Sequence, residues 1–100
     1  MPFELIIVTP DGESYHEPVD TVVLPGSEGD FGVLTSHERF LTPLHAGSIE
    51  VQPQNGNRLS AAIGDGFADV RGDRVTVLVE SCEFGPVAGG GVPVNSPARL

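Results

Sequence analysis

Arg74-Val-Thr-Val-Leu-Val-Glu80 is rich in β-branched residues and alternates with period two. That period sends successive side chains to opposite faces of an extended chain, so the segment reads as a strand. Gly72-Asp73 just before it supplies a turn, and Phe67–Arg71 is the strand that the turn reverses. Further upstream, Asn55-Gly56 is the strongest hairpin signal in the chain. It joins Ser48–Gln52, where Ile49 and Val51 point together, to Arg58–Ile63, where Leu59, Ala61 and Ile63 share a face. Phe3–Thr9 is an opening strand ended by Pro10-Asp11-Gly12. Tyr15–Leu24 is extended, interrupted near Pro18, with Val22 and Leu24 on one face, and Phe31–Leu34 is short and apolar. Many short strands separated by turn residues argue an all-β chain, an antiparallel sandwich or barrel.

Little room remains for a helix, because 13 glycines and 9 prolines cut the chain into short pieces. Thr35-Ser-His-Glu38 fits a capping box, and Leu34, His37 and Leu41 lie near helical spacing, yet Pro43 limits this to a short turn. From Gly85 the composition changes to glycine and proline without periodicity. The expected organisation is therefore a sandwich domain over residues 1–84 and an irregular, flexible C-terminal tail over 85–100.

The chain has 100 residues, enough for one small core. Its 14 acidic and 5 basic residues give a net charge of −9 at pH 7. Repulsion from phosphate argues against nucleic acid and against a bare anionic membrane surface. All the basic residues are arginine, so Schiff-base chemistry and a P-loop lysine are excluded. A single cysteine, Cys82, cannot form an internal disulfide and reads as a structural thiol in a reduced compartment. No apolar run approaches the roughly 20 residues of a membrane helix, so no direct membrane insertion is expected. No signal peptide is visible at the N-terminus.

Few residues suggest catalysis. His37 and His45 stand eight apart with Glu38 and Glu50 nearby, a loose version of a metal-barrel pattern in which Arg39 replaces the second histidine of an H-x-H pair. A small metal-dependent β-barrel enzyme using His37, His45 and Glu50 is the alternative functional reading. The carboxylate pairs Glu28/Asp30 and Glu80/Glu83 read as exposed acidic surface. Ser36-His37 lacks the other parts of a triad. Arg71-Gly72-Asp73 spells an adhesion tripeptide, but the hairpin turn accounts for it. In Pro25-Gly-Ser-Glu-Gly-Asp-Phe-Gly32 the glycines serve a tight loop that displays acid, with no lysine to bind phosphate. That makes it a docking loop for a polar or basic partner. The chain offers few aromatic anchors. Leu41, Leu44 and Phe67 are candidates for an apolar contact face, with core packing the first expectation for each.

Val23–His37, read with this loop, resembles the P-G-x-E-G-x-x-G-V-L-x-x-H signature of the epsilon subunit of F-type ATP synthases, the delta subunit of mitochondria. Leu41-Thr-Pro-Leu-His-Ala-Gly47 resembles the L-L-T-x-L-x-x-G segment that follows, and Gly66-Phe-Ala-Asp-Val70 resembles G-G-F-A-E-V. Phe3–Val8 and Val75–Leu78 resemble the first and last strands of that family's sandwich. The departures include Asp65, which replaces the first glycine of a pair, and His45, which stands in a loop where lysines are common; the larger departure is at the C-terminus.

The resemblance implies a flattened β-sandwich of about ten strands. It implies a non-catalytic central-stalk subunit with no cofactor, peripheral on the cytoplasmic face of the bacterial inner membrane (the matrix or stroma face in an organelle). Its partners would be the gamma subunit, the c-ring and, indirectly, the catalytic alpha/beta assembly. Carried over by position, Ser27, Glu28, Gly29, Asp30 and His37 would face the c-ring; no residue is assigned to gamma. A third reading is an unrelated interaction module with an acidic docking loop. Where the family continues into an inhibitory helical hairpin, in some members an ATP site, this sequence has Gly85–Leu100. Adding the chain to the catalytic assembly is therefore expected to leave ATP hydrolysis uninhibited in a steady-state ATPase assay; strong inhibition would contradict this.

Overall fold

A computed structural model describes residues 2–33, 39–85, 87–88 and 92–93. Strands β1 (Phe3–Thr9), β2 (Gly12–Gly26), β3 (Gly29–Val33), β4 (Phe40–Leu44), β5 (Gly47–Pro53), β6 (Leu59–Ile63), β7 (Gly66–Arg71), β8 (Arg74–Val79) and β9 (Cys82–Phe84) make the body. Val87–Ala88 (β10) and Val92–Pro93 (β11) form a separate two-stranded ladder. Among the described residues there is no helix, and so none long and apolar enough to cross a membrane.

The architecture follows from β2. Its first half pairs with β1, and its second half pairs with β3 and β5. One layer of the sandwich thus runs β4-β7-β8-β1-β2, and the other runs β3-β2-β5-β6-β9. Strict alternation would send Val19 and Val22, three residues apart, to opposite faces. Both are fully buried, because the register shifts between Val19 and Thr21 and Asp20 is the extra residue. Such a bulge bends the strand and restarts its phase. The expected interruption is present, then, two residues beyond Pro18. Ladders are antiparallel among the described residues except β1–β8, which is parallel.

The core lies between the layers. Leu5, Ile7, Val19, Val22, Leu24, Ile49, Val51, Val70, Val75 and Val77 are its largest fully buried side chains. Each contributes about 1.5–3 kcal/mol by leaving water. Aromatic pairs bridge the layers at both lateral edges. Tyr15 of β2 lies 5.3 Å from Phe84 of β9, ring centre to ring centre. Phe31 of β3 lies 6.5 Å from Phe40 of β4. Edge-strand interiors are thereby covered by rings rather than by further backbone pairing.

Some local expectations change. Asn55-Gly56 lies in a hairpin loop, but the last β5–β6 pair is Val51 with Leu59, so the connection is longer than a two-residue turn. Gln52 Nε2 donates to the Gly56 carbonyl at 3.3 Å inside it. Gly72-Asp73 is a two-residue turn between paired Arg71 and Arg74; a positive φ of 41° at Gly72 alone matches type II′. Phe40–Leu44 is a strand despite Pro43. It pairs fully with β7 but meets β2 only at Gly26, so a missing N–H on that side breaks no ladder. The Thr35–Glu38 capping box lies outside the described residues.

Gly66 is required by close approach. A Cβ there would stand 1.9 Å from the Leu78 carbonyl oxygen and 2.7 Å from Val79 Cα, both backbone atoms of the partner strand. A Cβ at Gly32 would meet nothing within 4 Å. Gly66→Ala should therefore destabilise the fold by more than about 3 kcal/mol in urea denaturation, while Gly32→Ala stays within about 0.5 kcal/mol of the parent. Equal midpoints for the two variants would contradict the packing described.

Candidate partner-binding surfaces

One end of the sandwich is acidic. The turn after β1, the β2–β3 tip and the β4–β5, β6–β7 and β8–β9 connections meet there. They carry Asp11, Glu28, Asp30, Asp65 and Glu80, with no arginine. The described arginines, Arg39, Arg58, Arg71 and Arg74, sit at the strand ends toward the other pole. Ser27 and Glu28 turn the chain between paired Gly26 and Gly29, and Gly29 takes φ 122°. Ser27, Glu28, Gly29 and Asp30 are all exposed. The fifth residue of that expected set, His37, lies outside the described residues.

A second surface is apolar. On the outer face of the β4-β7-β8-β1 layer, register aligns Pro43, Phe67, Leu78 and Val8 in one row across four strands. Leu41 and Ile6 lie in the next row. Leu41 is 64% exposed, Phe67 50% and Leu78 46%. Core packing holds for Leu44, which is buried, and fails for Leu41 and Phe67, which point to solvent. The outer face of the other layer is polar by contrast, with Glu50, Gln52, Ser60 and Glu83 among its side chains. Exposed apolar residues aligned on one face mark a contact surface far more than the same residues scattered singly. The signal was present in strand phase: Leu78 shares its face with Arg74 and Thr76, and Phe67 with Asp69 and Arg71.

The remaining chemistry is structural. His45 Nε2 is 3.2 Å from the Ser27 carbonyl, whereas Glu50 accepts from Ser60 Oγ at 2.9 Å and lies 3.8 Å from Arg58. Among the described residues no three histidine, cysteine, aspartate or glutamate side chains are placed to hold a metal ion. The metal-barrel reading of His45 and Glu50 therefore has no structural support. Burial, and secondarily the charge of Glu83, pushes the Cys82 thiol up to about 11, so it is not a nucleophile at neutral pH. A recess of about 530 Å³ lined by Arg39, Phe40, Leu41, Asp69 and Arg71 borders the apolar face, and in it Arg71 Nε is held by both Asp69 oxygens at 3.1 and 3.2 Å.

His16 borders the same face, paired across from Ile6. Its Nε2 lies 2.6 Å from Glu4 Oε1, and its Nδ1 lies 3.5 Å from Glu13. The Glu4 hydrogen bond raises His16 above the usual 6.5, and the same bond holds Glu4 below 4.5.

A β-sandwich with one acidic end and one apolar outer face has the make-up of an interaction module. Residues 2–85 match the family described as "ATP synthase, Delta/Epsilon chain, beta-sandwich domain". The chain belongs to that family. It is 42% identical over 81 residues to an ATP synthase epsilon chain of Helicobacter pylori, covering 81% of this chain and 65% of that one. It is 41% identical over 96 residues to the epsilon chain of Campylobacter curvus, covering 96% and 69%. Thus it spans about two thirds of the length of these relatives. A chain in the Euglena gracilis mitochondrial ATP synthase structure containing OSCP, F1 and c-ring superposes with a TM-score of 0.76 at 27% identity, covering 83% of this chain and 53% of that one. A chain of the Tetrahymena thermophila enzyme shares the fold, with a TM-score of 0.66 at 13% identity.

The His16–Glu4 bond contributes fully above pH 4.5, where an unfolded glutamate is ionised, and below pH 6.5, where an unfolded histidine is charged. It is lost as pH rises through the raised histidine value or falls through the lowered glutamate value. Thermal melts should therefore show the largest difference between parent and His16→Gln at about pH 5.5, shrinking by about pH 8. A difference that grows toward pH 8 would contradict this.

Proposed function

We propose that this chain is the β-sandwich of a non-catalytic central-stalk subunit of a rotary ATP synthase. It binds the gamma subunit and the c-ring and so couples ion-driven rotation to ATP synthesis. The subunit itself catalyses nothing and needs no cofactor. It sits peripherally on the membrane sector, on the cytoplasmic face in a bacterium. The observation that carries this reading is the adjacency of two unlike surfaces, an acidic end and an apolar outer face, on a fold of the delta/epsilon family.

The acidic tip Ser27–Asp30 suits the polar loops of a c-ring if those loops carry arginine. His37 belongs to the same proposed contact by resemblance. The row Pro43–Phe67–Leu78–Val8 with Leu41 suits gamma, because a permanent subunit contact is more apolar than the rest of a surface. Rotation loads both contacts at once. An apolar patch resists dissociation, and a charged tip fixes orientation against the ring.

Two variants test the two contacts separately. Glu28→Lys with Asp30→Lys, assembled into membranes, should lower ATP-driven ion pumping while ATP hydrolysis continues. Unchanged pumping would sink the c-ring assignment. Leu41→Ser with Phe67→Ser should weaken retention of gamma by at least about tenfold in pull-down titration. Gln52→Ala, on the polar face, should leave retention unchanged, and equal loss in both would sink the gamma assignment.

A further inference from the structure

The β4–β5 connection, His45-Ala46, donates three hydrogen bonds to two different elements. The His45 backbone N–H donates to the Pro25 carbonyl at 2.9 Å, at the end of β2. The Ser27 carbonyl can only accept, so His45 donates to it through Nε2–H, at 3.2 Å, on the acidic tip itself. The Ala46 N–H donates to Asp65 Oδ1 at 2.7 Å, in the β6–β7 connection, a short bond to a carboxyl oxygen. Asp65 in turn accepts from the Glu80 N–H through its carbonyl at 3.1 Å, and Gly64 N–H donates to the Ser81 carbonyl at 3.1 Å.

These bonds form a continuous line. It runs from the tip Ser27, through His45-Ala46 and Asp65, to Glu80. Its far end adjoins the apolar row, since Phe67 follows Asp65 by two positions and Leu78 precedes Glu80 by two.

We propose that His45 and Asp65 act as positioning residues, a clamp that holds the acidic tip rigid relative to the apolar face. The tip needs one. Ser27 and Glu28 form an exposed two-residue turn between Gly26 and Gly29, and a Gly-flanked turn loses more conformational freedom on ordering than other sequences. Ordering the tip before contact removes that entropic cost from partner binding. A rigid line between the two surfaces also lets torque on one reach the other without bending the tip. The last step rests on the reading above, that the tip and the face meet different rotor parts.

Backbone ¹⁵N order parameters of Glu28 and Gly29 in the full chain test the clamp without any partner. The parent should give values near about 0.8. His45→Ala and Asp65→Ala should lower them to about 0.6 or less with little change in melting temperature. His45→Gln and Asp65→Asn, which keep the donor and the acceptor, should restore them; the second also separates hydrogen bonding from charge. A parent tip already below about 0.6, or alanine variants that match the parent, would overturn the clamp. Assembled into membranes, the alanine variants should pump fewer ions per ATP hydrolysed, and the Gln and Asn variants should recover. If the order parameters fall and pumping stays intact, the clamp stands as structure and its coupling role is overturned. If Glu28→Lys with Asp30→Lys also leaves pumping intact, the c-ring reading fails instead.

Discussion

The bulge at Asp20 is the constraint on which the rest of the molecule depends. Without it, β2 would be a straight strand in one sheet, and Val19 and Val22 could not both face the core. With it, one 15-residue strand edges the β1 layer and then crosses into the β5 layer. Two open layers therefore become a sandwich stitched by its own backbone. The remaining lateral gaps are filled by Tyr15 against Phe84 and Phe31 against Phe40. A chain with only 6 aromatic residues places four of them at these seams, which leaves one outer face to carry Phe67.

Crossing over also decides what lies at each pole. Because β2 ends beside β3 and β4, its tip joins the other connections at the acidic end. The described arginines fall on strand ends of the opposite pole, where Arg58, Arg71 and Arg74 flank the hairpin turns. Charge is thus segregated by topology rather than by neighbouring sequence. The apolar row reaches toward the acidic pole, since Gly66 and Val79 pair there and Phe67 and Leu78 follow in register. Gly66 permits that register by letting the two backbones approach more closely than any Cβ would allow.

Much of this was legible in the residues. The strand Arg74–Glu80, the Gly72-Asp73 turn and the glycine-framed acidic tip each announce themselves locally, because alternation and turn chemistry act over a few residues. The family resemblance rested on the same segments and was shown over residues 2–85. What was hidden depends on distant pairing. β4 was absent from the expected strands, and Pro43 ended only a short turn there, because only the sheet reveals a strand with an open side. β9 is three residues long, too short for any period. Leu41 and Phe67 looked like core because hydrophobicity alone does not give the direction of a side chain; strand phase does. The partnership of His45 with Ser27 spans 18 residues of sequence, and no local rule reaches that far.

The central claim is that two surfaces of one rigid sandwich meet two different rotor parts. Site-directed cross-linking tests it most directly. In a Cys82→Ser background, a single cysteine carrying a photo-cross-linker is introduced by Glu28→Cys or by Leu41→Cys, and the complex is illuminated in native membranes. The account predicts that the Glu28 position captures the c subunit and the Leu41 position captures gamma. Capture of gamma from the Glu28 position and of the c subunit from Leu41, or of neither from both, would contradict it.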